Sequence, residues 1–154
     1  MSDACVIRVQ IQAEPYDIAA EIEAAKAAGG HVGAVVTFSG VCRDENGRLA
    51  ALELEHYPGM AEAEIGRIAA EAAGRWAVTS LTVIHRHGKL APGDDIVLVV
   101  SASAHRQAAF DAASFLMDFL KTNAPFWKKE HLADGSSGGW VEAKDADDDA
   151  AARW

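Results

Sequence analysis

Residues 103–130, SAHRQAAFDAASFLMDFLKTNAPFWKKE, decide how the C-terminal half of this chain folds. Apolar side chains recur every three or four positions from 104 to 123, a period that predicts an amphipathic α-helix. Pro125 ends this helix, because the residue before a proline is pushed out of the helical region. A short strand over 126–131 follows. The side chains predicted to face the core from the helix are Phe110, Ala113, Met117 and Leu120.

Cationic residues stand at the start of the predicted helix. Ser103 is a suitable N-cap and places His105 and Arg106 in the first turn. Free backbone N–H groups and the positive end of the helix dipole favour an anion there, and the arginine guanidinium can hold phosphate or carboxylate through two hydrogen bonds. An ordinary capped helix with two exposed polar residues explains the same pattern.

Two further cations follow at the end of the helix. Lys121 lies in its last turn, where a lysine commonly complements the helix dipole. Lys128 comes after Phe126 and Trp127, and a rigid turn at Pro125 can return it to the neighbourhood of Lys121. A lysine partly desolvated beside another cation has a lowered pKa and can act as a general acid, base or nucleophile.

The length of the helix separates these two groups of cations. His105 and Lys121 are sixteen positions apart, which on a straight helix is about 24 Å. No small ligand spans that distance, so the two ends serve either two sites or one site built from two chains. A two-fold dimer would give two equivalent composite sites. We therefore predict a homodimer with shared sites.

The rest of the chain predicts an α+β fold with a mixed or mostly antiparallel sheet. Strands are predicted over 6–12, 34–38, 49–56, 81–87, 96–103 and 140–143, and helices over 15–30 and 60–76. The strand over 34–38 is β-branched and is expected to be buried. Asn46-Gly47 is a strong turn signal, which predicts that this strand and the next form a hairpin.

Composition excludes several classes of protein. The chain has 154 residues and a formal net charge of −9, which indicates one domain, here 1–154, without the clustered lysine and arginine of nucleic-acid-binding or membrane-binding surfaces. Residues 143–154 are expected to be a solvated acidic tail. The start of the sequence lacks the features of a signal peptide, and two cysteines make no disulfide framework, so a cytoplasmic location is expected.

Three other features are candidates for chemistry. Arg43 ends a Gly-containing turn that follows the second strand, and Cys42 beside it could be a thiol of lowered pKa or a small buried residue. His85 and His87 could ligate a metal, but no third ligand is near in sequence, so no metal is expected. The loop over 134–139 is interpreted as an ordinary surface loop, with a mobile lid as the alternative.

Taken together, several segments make the chain similar to the large, catalytic subunit of molybdopterin synthase. Besides the stretch over 103–130, the matching segments are GAVVTFSGVCR (33–43), LELEHYPGM (52–60), VIHRHGKLAPGDD (83–95) and WVEA (140–143). The resemblance implies an α/β-hammerhead fold with an additional antiparallel β subdomain, and a homodimeric core. It also implies a partner, a small ubiquitin-like sulfur carrier with a C-terminal Gly-Gly thiocarboxylate, in a heterotetramer with the dimer.

The implied reaction is a sulfur transfer that requires no cofactor held by the protein. Two sulfurs pass from the thiocarboxylate to cyclic pyranopterin monophosphate and form the dithiolene of molybdopterin. By position, Lys121 and Lys128 match the family's catalytic lysines. The residues that match its substrate-binding positions are Val41, Cys42, Arg43, Lys129 and Glu130, with His105 and Arg106 supplied by the neighbouring subunit.

Two positions depart from the family pattern. Cys42 stands where relatives commonly have valine, which leaves a sulfur-relay role open beside that of a small buried residue. Lys144 stands where relatives can have arginine. A non-catalytic module that binds a ubiquitin-like partner or a phosphorylated metabolite is the alternative function, and it would tolerate Lys121→Arg.

Overall fold

The computed structural model describes residues 4–44, 46–122, 126–141, 152 and 154. Within these residues the chain forms eight strands and three helices. In chain order they are β1 (Val6–Gln12), α1 (Ile18–Ala27), β2 (Ala34–Val41), β3 (Leu49–His56), α2 (Met60–Arg75), β4 (Val78–Arg86), β5 (Gly88–Leu90), β6 (Asp95–Ser103), α3 (Arg106–Thr122), β7 (Phe126–Leu132) and β8 (Ser137–Val141).

The strands form two four-stranded sheets. The central sheet has the order β1-β4-β6-β2, with β1 parallel to β4 and the other pairs antiparallel. The second sheet has the order β5-β3-β7-β8 and is antiparallel throughout. This arrangement confirms the α+β class and the additional antiparallel β subdomain.

Helices cover both faces of the central sheet. On one face, α2 and α3 pack against Leu81, Val83 and Val99. On the other, α1 packs against Ile84 and Leu98. The middle strands β4 and β6 are therefore buried on both faces, which explains their long continuous apolar runs. No helix among the described residues is long and apolar enough to cross a membrane.

The buried stripe of α3 differs from the predicted one. Ala113 is buried as expected, but Phe110 is 56% exposed, so its predicted burial was wrong. Phe115 and Leu116 fill the core instead, beside Ala109, which is also fully buried. Small alanines on this stripe let the helix lie close to the sheet, so side-chain size was a poor guide to which face is inward.

The predicted hairpin between the second and third strands was also wrong. Asn46 and Gly47 do form a turn with positive φ values of 60° and 74°. The strands on either side nevertheless diverge, since β2 pairs with β6 in the central sheet and β3 with β5 and β7 in the second. The strand β2 also lies at a sheet edge and is only partly buried, contrary to expectation.

The C-terminal region holds one unexpected contact. Trp154 packs edge-on against Trp76 and Phe115, and its indole N–H donates a hydrogen bond to Asp118. Arg75 donates to the backbone oxygen of Trp154 at 3.0 Å.

Most of the predicted acidic tail, 143–154, lies outside the described residues, and the single-domain organisation stays a prediction. Over 134–139, the expected loop is shorter than predicted because β8 begins at Ser137.

We expect Phe115→Ala to lower the free energy of unfolding by about 3–5 kcal/mol, because it removes a fully buried ring that contacts two tryptophans. Phe110→Ala, on the same helix but exposed, should change it by less than about 1 kcal/mol. Urea denaturation of both variants measures the difference. Equal losses would contradict the orientation of α3 described here.

Candidate active site

The two sheets meet where an imidazole stacks on a phenyl ring. His85, near the end of β4, has its ring centroid 3.8 Å from that of Phe126 in β7, with 13° between the planes. His56 pairs with Phe126 in the second sheet, and its ring lies 6.0 Å from the phenyl ring. This stack joins the central sheet to the second sheet, and the contact is called the junction.

His85 is neutral at physiological pH. Its side chain is 95% buried, and burial lowers its pKa to about 4. The Nδ1 atom lies 2.8 Å from the carbonyl oxygen of Arg86. Because a carbonyl only accepts hydrogen bonds, Nδ1 carries the proton and Nε2 carries a lone pair. The Arg86 guanidinium is also engaged, donating to the backbone oxygens of Ala13 and Asp95 at 2.8–3.1 Å.

Lys121 and Lys128 both lie near the junction. Lys121 is in the last turn of α3, and Lys128 is on β7 two residues after Phe126, on the same face of the strand. Both ammonium groups are close enough to His85 for their positive charges to lower its pKa further. The two predicted lysines therefore both lie near His85, although one is on α3 and the other on β7.

The neighbouring residues of β7 are not all brought to this site. Lys129 pairs with Trp140 on β8 and its ammonium lies 6.0 Å from the centroid of that ring, on the face opposite Lys128. Glu130 shares the face of Lys128 but forms an ion pair with Arg48 at 3.0 Å. Their predicted roles in substrate binding stay predictions, with Lys129 separated from Lys128 by the sheet.

The turn after β2 approaches the same junction. Val41 is exposed and pairs with Asp95, at the end of the central sheet where Arg86 also lies. Cys42 is 2% exposed, and its backbone N–H and C=O both bond to the loop at 93–94. Burial, with the charges of Asp94 and Asp44, raises the pKa of the Cys42 thiol, which disfavours the thiolate that a sulfur relay would need. Arg43 follows on the surface.

His105 and Arg106 lie at the opposite end of the molecule. They follow β6, whose nine residues span roughly 27 Å from the junction. The helix begins at Arg106, so the prediction of Ser103 as its N-cap was wrong, because Ser103 lies three residues before the first helical residue. The Ser103 hydroxyl still accepts a hydrogen bond from the His105 N–H at 3.3 Å. His105 lines an open hollow with Lys26 and His31. Within one chain this end is far from Lys121, as helix length predicted.

Sequence reasoning assigned His85 only to a possible metal site and did not predict its place beside the lysines. No group of three potential ligands among the described residues is arranged to hold a metal ion. His87 faces His56, at 4.7 Å between ring centroids, while His85 faces Phe126. The sequence signal for His85 was a histidine within an apolar strand. Its contact with Phe126 depends on how the two sheets pack together, which the local sequence does not show.

Stability should fall as pH falls through the titration of His85. Between pH 6.5 and about 4 the unfolded chain binds a proton at His85 that the folded chain does not, so the free energy of unfolding decreases on acidification. The shift corresponds to roughly 3 kcal/mol. Urea denaturation from pH 4 to pH 7 should show this loss in the wild type and a smaller one in His85→Phe. Parallel pH profiles of the two proteins would contradict it.

Comparison with known proteins identifies the family. The sequence model of the MoaE protein family matches residues 11–123. The chain is 68% identical over 154 residues to a molybdopterin synthase catalytic subunit from Mesorhizobium japonicum, covering 100% of this chain and 97% of the relative. Another protein of that name, from Rhizobium meliloti, is 64% identical over 98% of this chain and 97% of its own length.

A solved structure agrees with these relatives. The molybdopterin biosynthesis MoaE protein from Burkholderia ambifaria superposes with a TM-score of 0.83 at 45% identity, covering 97% of this chain and 98% of the other. The similarity extends beyond the matched 113-residue segment to the strand that carries Lys128. The chain belongs to the MoaE protein family.

Proposed function

We propose that this chain is the catalytic subunit of a molybdopterin synthase. It transfers two sulfurs from the C-terminal Gly-Gly thiocarboxylate of a small ubiquitin-like subunit to cyclic pyranopterin monophosphate, forming the dithiolene of molybdopterin. The observation that carries the proposal is the convergence of Lys121 and Lys128 on the neutral, buried His85. Relatives that are named as this catalytic subunit and match the chain along its full length support it.

The chemistry requires cations and a proton donor. In each transfer a bond forms between the thiocarboxylate sulfur and a carbon of the pterin side chain, while a carbon–oxygen bond of the pterin breaks. Water then cleaves the bond between that sulfur and the carrier's carbonyl carbon and leaves the carrier as a carboxylate, so each carrier supplies one sulfur and two carriers are used in turn. The leaving oxygen needs a proton, and the phosphate and the thiocarboxylate need positive partners. We assign the proton transfer or the steering of the thiocarboxylate to Lys121, and substrate anchoring to Lys128. In a chain of net charge −9, this local cation pair favours anions.

The remaining site residues fit a dimer. Arg43, Val41 and Cys42 lie on the turn near the junction, whereas His105 and Arg106 are a helix length away. We propose that a second copy of the chain supplies its His105 and Arg106 to the substrate phosphate, so that each dimer has two composite sites. One small subunit at each site gives a heterotetramer. The chain acts as a single domain in the cytoplasm.

Lys121→Ala should lower the rate of sulfur transfer about a hundredfold or more, because a positioned proton donor contributes at least that much. Lys121→Arg should also be strongly impaired, since a guanidinium does not release its proton. The chain is incubated with cyclic pyranopterin monophosphate and thiocarboxylated small subunit, and mass spectrometry measures whether the pterin gains two sulfurs.

Lys89→Ala is the matched control, because Lys89 is an exposed lysine on the edge strand β5 and should leave the rate unchanged. Wild-type protein that binds the small subunit without sulfurating the pterin would favour a binding module instead. Full activity of the Lys121→Arg variant would contradict proton transfer by Lys121, because a guanidinium does not release its proton.

Mixing inactive His105→Ala and Lys121→Ala chains should restore activity if the sites are composite. After dissociation and random reassembly, half of the dimers contain one chain of each kind, and each such dimer has one intact site. Recovery of about a quarter of the wild-type rate is expected. A mixture that stays inactive, although native mass spectrometry shows mixed dimers, would contradict shared sites.

A further inference from the structure

We propose that the β2 edge, the backbone edge of Ala34–Val41 that faces away from β6, is the interface between two copies of this chain. The two β2 strands pair antiparallel across a two-fold axis and join the two four-stranded central sheets into one continuous sheet. This inference deepens the proposed function, and rests on it for the need to combine His105 of one copy with Lys121 of the other.

The two ends of β2 lie beside the two separated groups of cations. Its start lies beside the end of β6, two residues before His105. At its other end, Val41 is followed by the turn that carries Arg43. Eight residues of strand span about 24 Å, the distance that α3 places between His105 and Lys121. The β2 edge therefore runs along the whole gap that a composite site must close.

A two-fold axis at the middle of β2 exchanges these ends. Facing side chains in a strand pair lie on the same side of the sheet, so one residue must face its own copy, and the middle of the strand places it at Thr37 or Phe38. The end of one β2 then lies beside the start of the other. The partner's His105 is two strands, or roughly 10 Å, from Val41. One small ligand can span that distance, whereas it cannot span the length of α3.

The composition of β2 is that of a covered strand. Its sequence AVVTFSGV contains neither a charged residue nor a proline, the features that ordinarily keep an exposed edge from pairing. Among the residues that the structure describes, no strand pairs with this edge. The opposite edge strand of the same sheet, β1, carries Arg8, which forms an ion pair with Glu21 on α1. In the second sheet, the edge strands β5 and β8 have only three and five residues.

Pairing at the β2 edge also covers apolar side chains. Phe38 is 39% exposed and Val41 is 50% exposed, although helices pack on both faces of the central sheet. Val35 and Val36 point to opposite faces and are only partly buried, whereas the residues that they face on β6 are fully buried. The exposure thus follows the edge and not one face, as expected for a strand that lacks a neighbour.

The first test places a charge on the β2 edge. In Thr37→Lys, two ammonium groups meet near the two-fold axis, and like charges that face each other weaken a strand pair. We expect the dimer dissociation constant, measured by sedimentation equilibrium, to rise about tenfold or more. Gln10→Lys adds the same charge to an exposed position of β1 and should leave the constant unchanged. Unchanged dimer affinity in a folded Thr37→Lys chain would overturn the proposal.

Disulfide cross-linking tests the same edge without adding a charge. Thr37→Cys and Phe38→Cys are made in a chain that carries Cys5→Ser, and Cys42 is buried. Residues that face each other in an antiparallel pair have Cα atoms about 4.5–5.5 Å apart, so mild oxidation should link the two copies at one of these positions. Ile7→Cys on β1, where the native side chain is 36% exposed, is the control and should not cross-link. Equal yields at all three positions contradict the interface.

The outcomes separate this inference from the proposed function. Cross-linked dimers without sulfurtransferase activity would refute the proposed function and leave the β2 interface standing. Active dimers that cross-link at neither Thr37→Cys nor Phe38→Cys would refute the interface and leave the function standing. A wild-type chain that is active as a monomer would overturn the interface as well.

Discussion

The contact between His85 and Phe126 is the constraint on which the candidate site depends. It joins the end of β4 in the central sheet to the beginning of β7 in the second sheet. Burial of the ring keeps it neutral, so two lysines can approach the same point without a third positive charge. This contact adds to the pairing of β7 with β3 and β8 and to the packing of Phe126 against the core in orienting the segment that carries Lys128.

The long elements that build the core also keep the two groups of cations apart. Helix α3 and strand β6 both run from the sheet junction to the far end of the molecule, where His105 and Arg106 lie. Shortening either element would sacrifice the buried stripe that packs α3 on the sheet. In the proposed dimer a second chain supplies these cations, and two-fold symmetry gives both sites from one interface.

Local pattern predicted the elements well, because hydrophobic period and turn residues act within a few positions. The bounds of β1 and the continuity of α3 followed directly, as did the separation of His105 from Lys121. Partner strands were not predictable in this way. The turn at Asn46-Gly47 is real, yet β2 and β3 enter different sheets, since pairing is decided by contacts distant in sequence. The position of His85 beside the lysines depends on the same distant contacts and was missed for that reason.

The adjacent lysines of β7 make strand register a determinant of specificity. Moving β7 by one residue against β3 would turn Lys129 toward the site and Lys128 away from it, with no change in the charge of the chain. Composition alone therefore does not define which ammonium serves the reaction. Two cross-strand contacts oppose such a slip: the Arg48–Glu130 ion pair at 3.0 Å and the His131–Glu53 hydrogen bond at 2.7 Å, on opposite faces. These two contacts favour the register in which Lys128, and not Lys129, faces the candidate site.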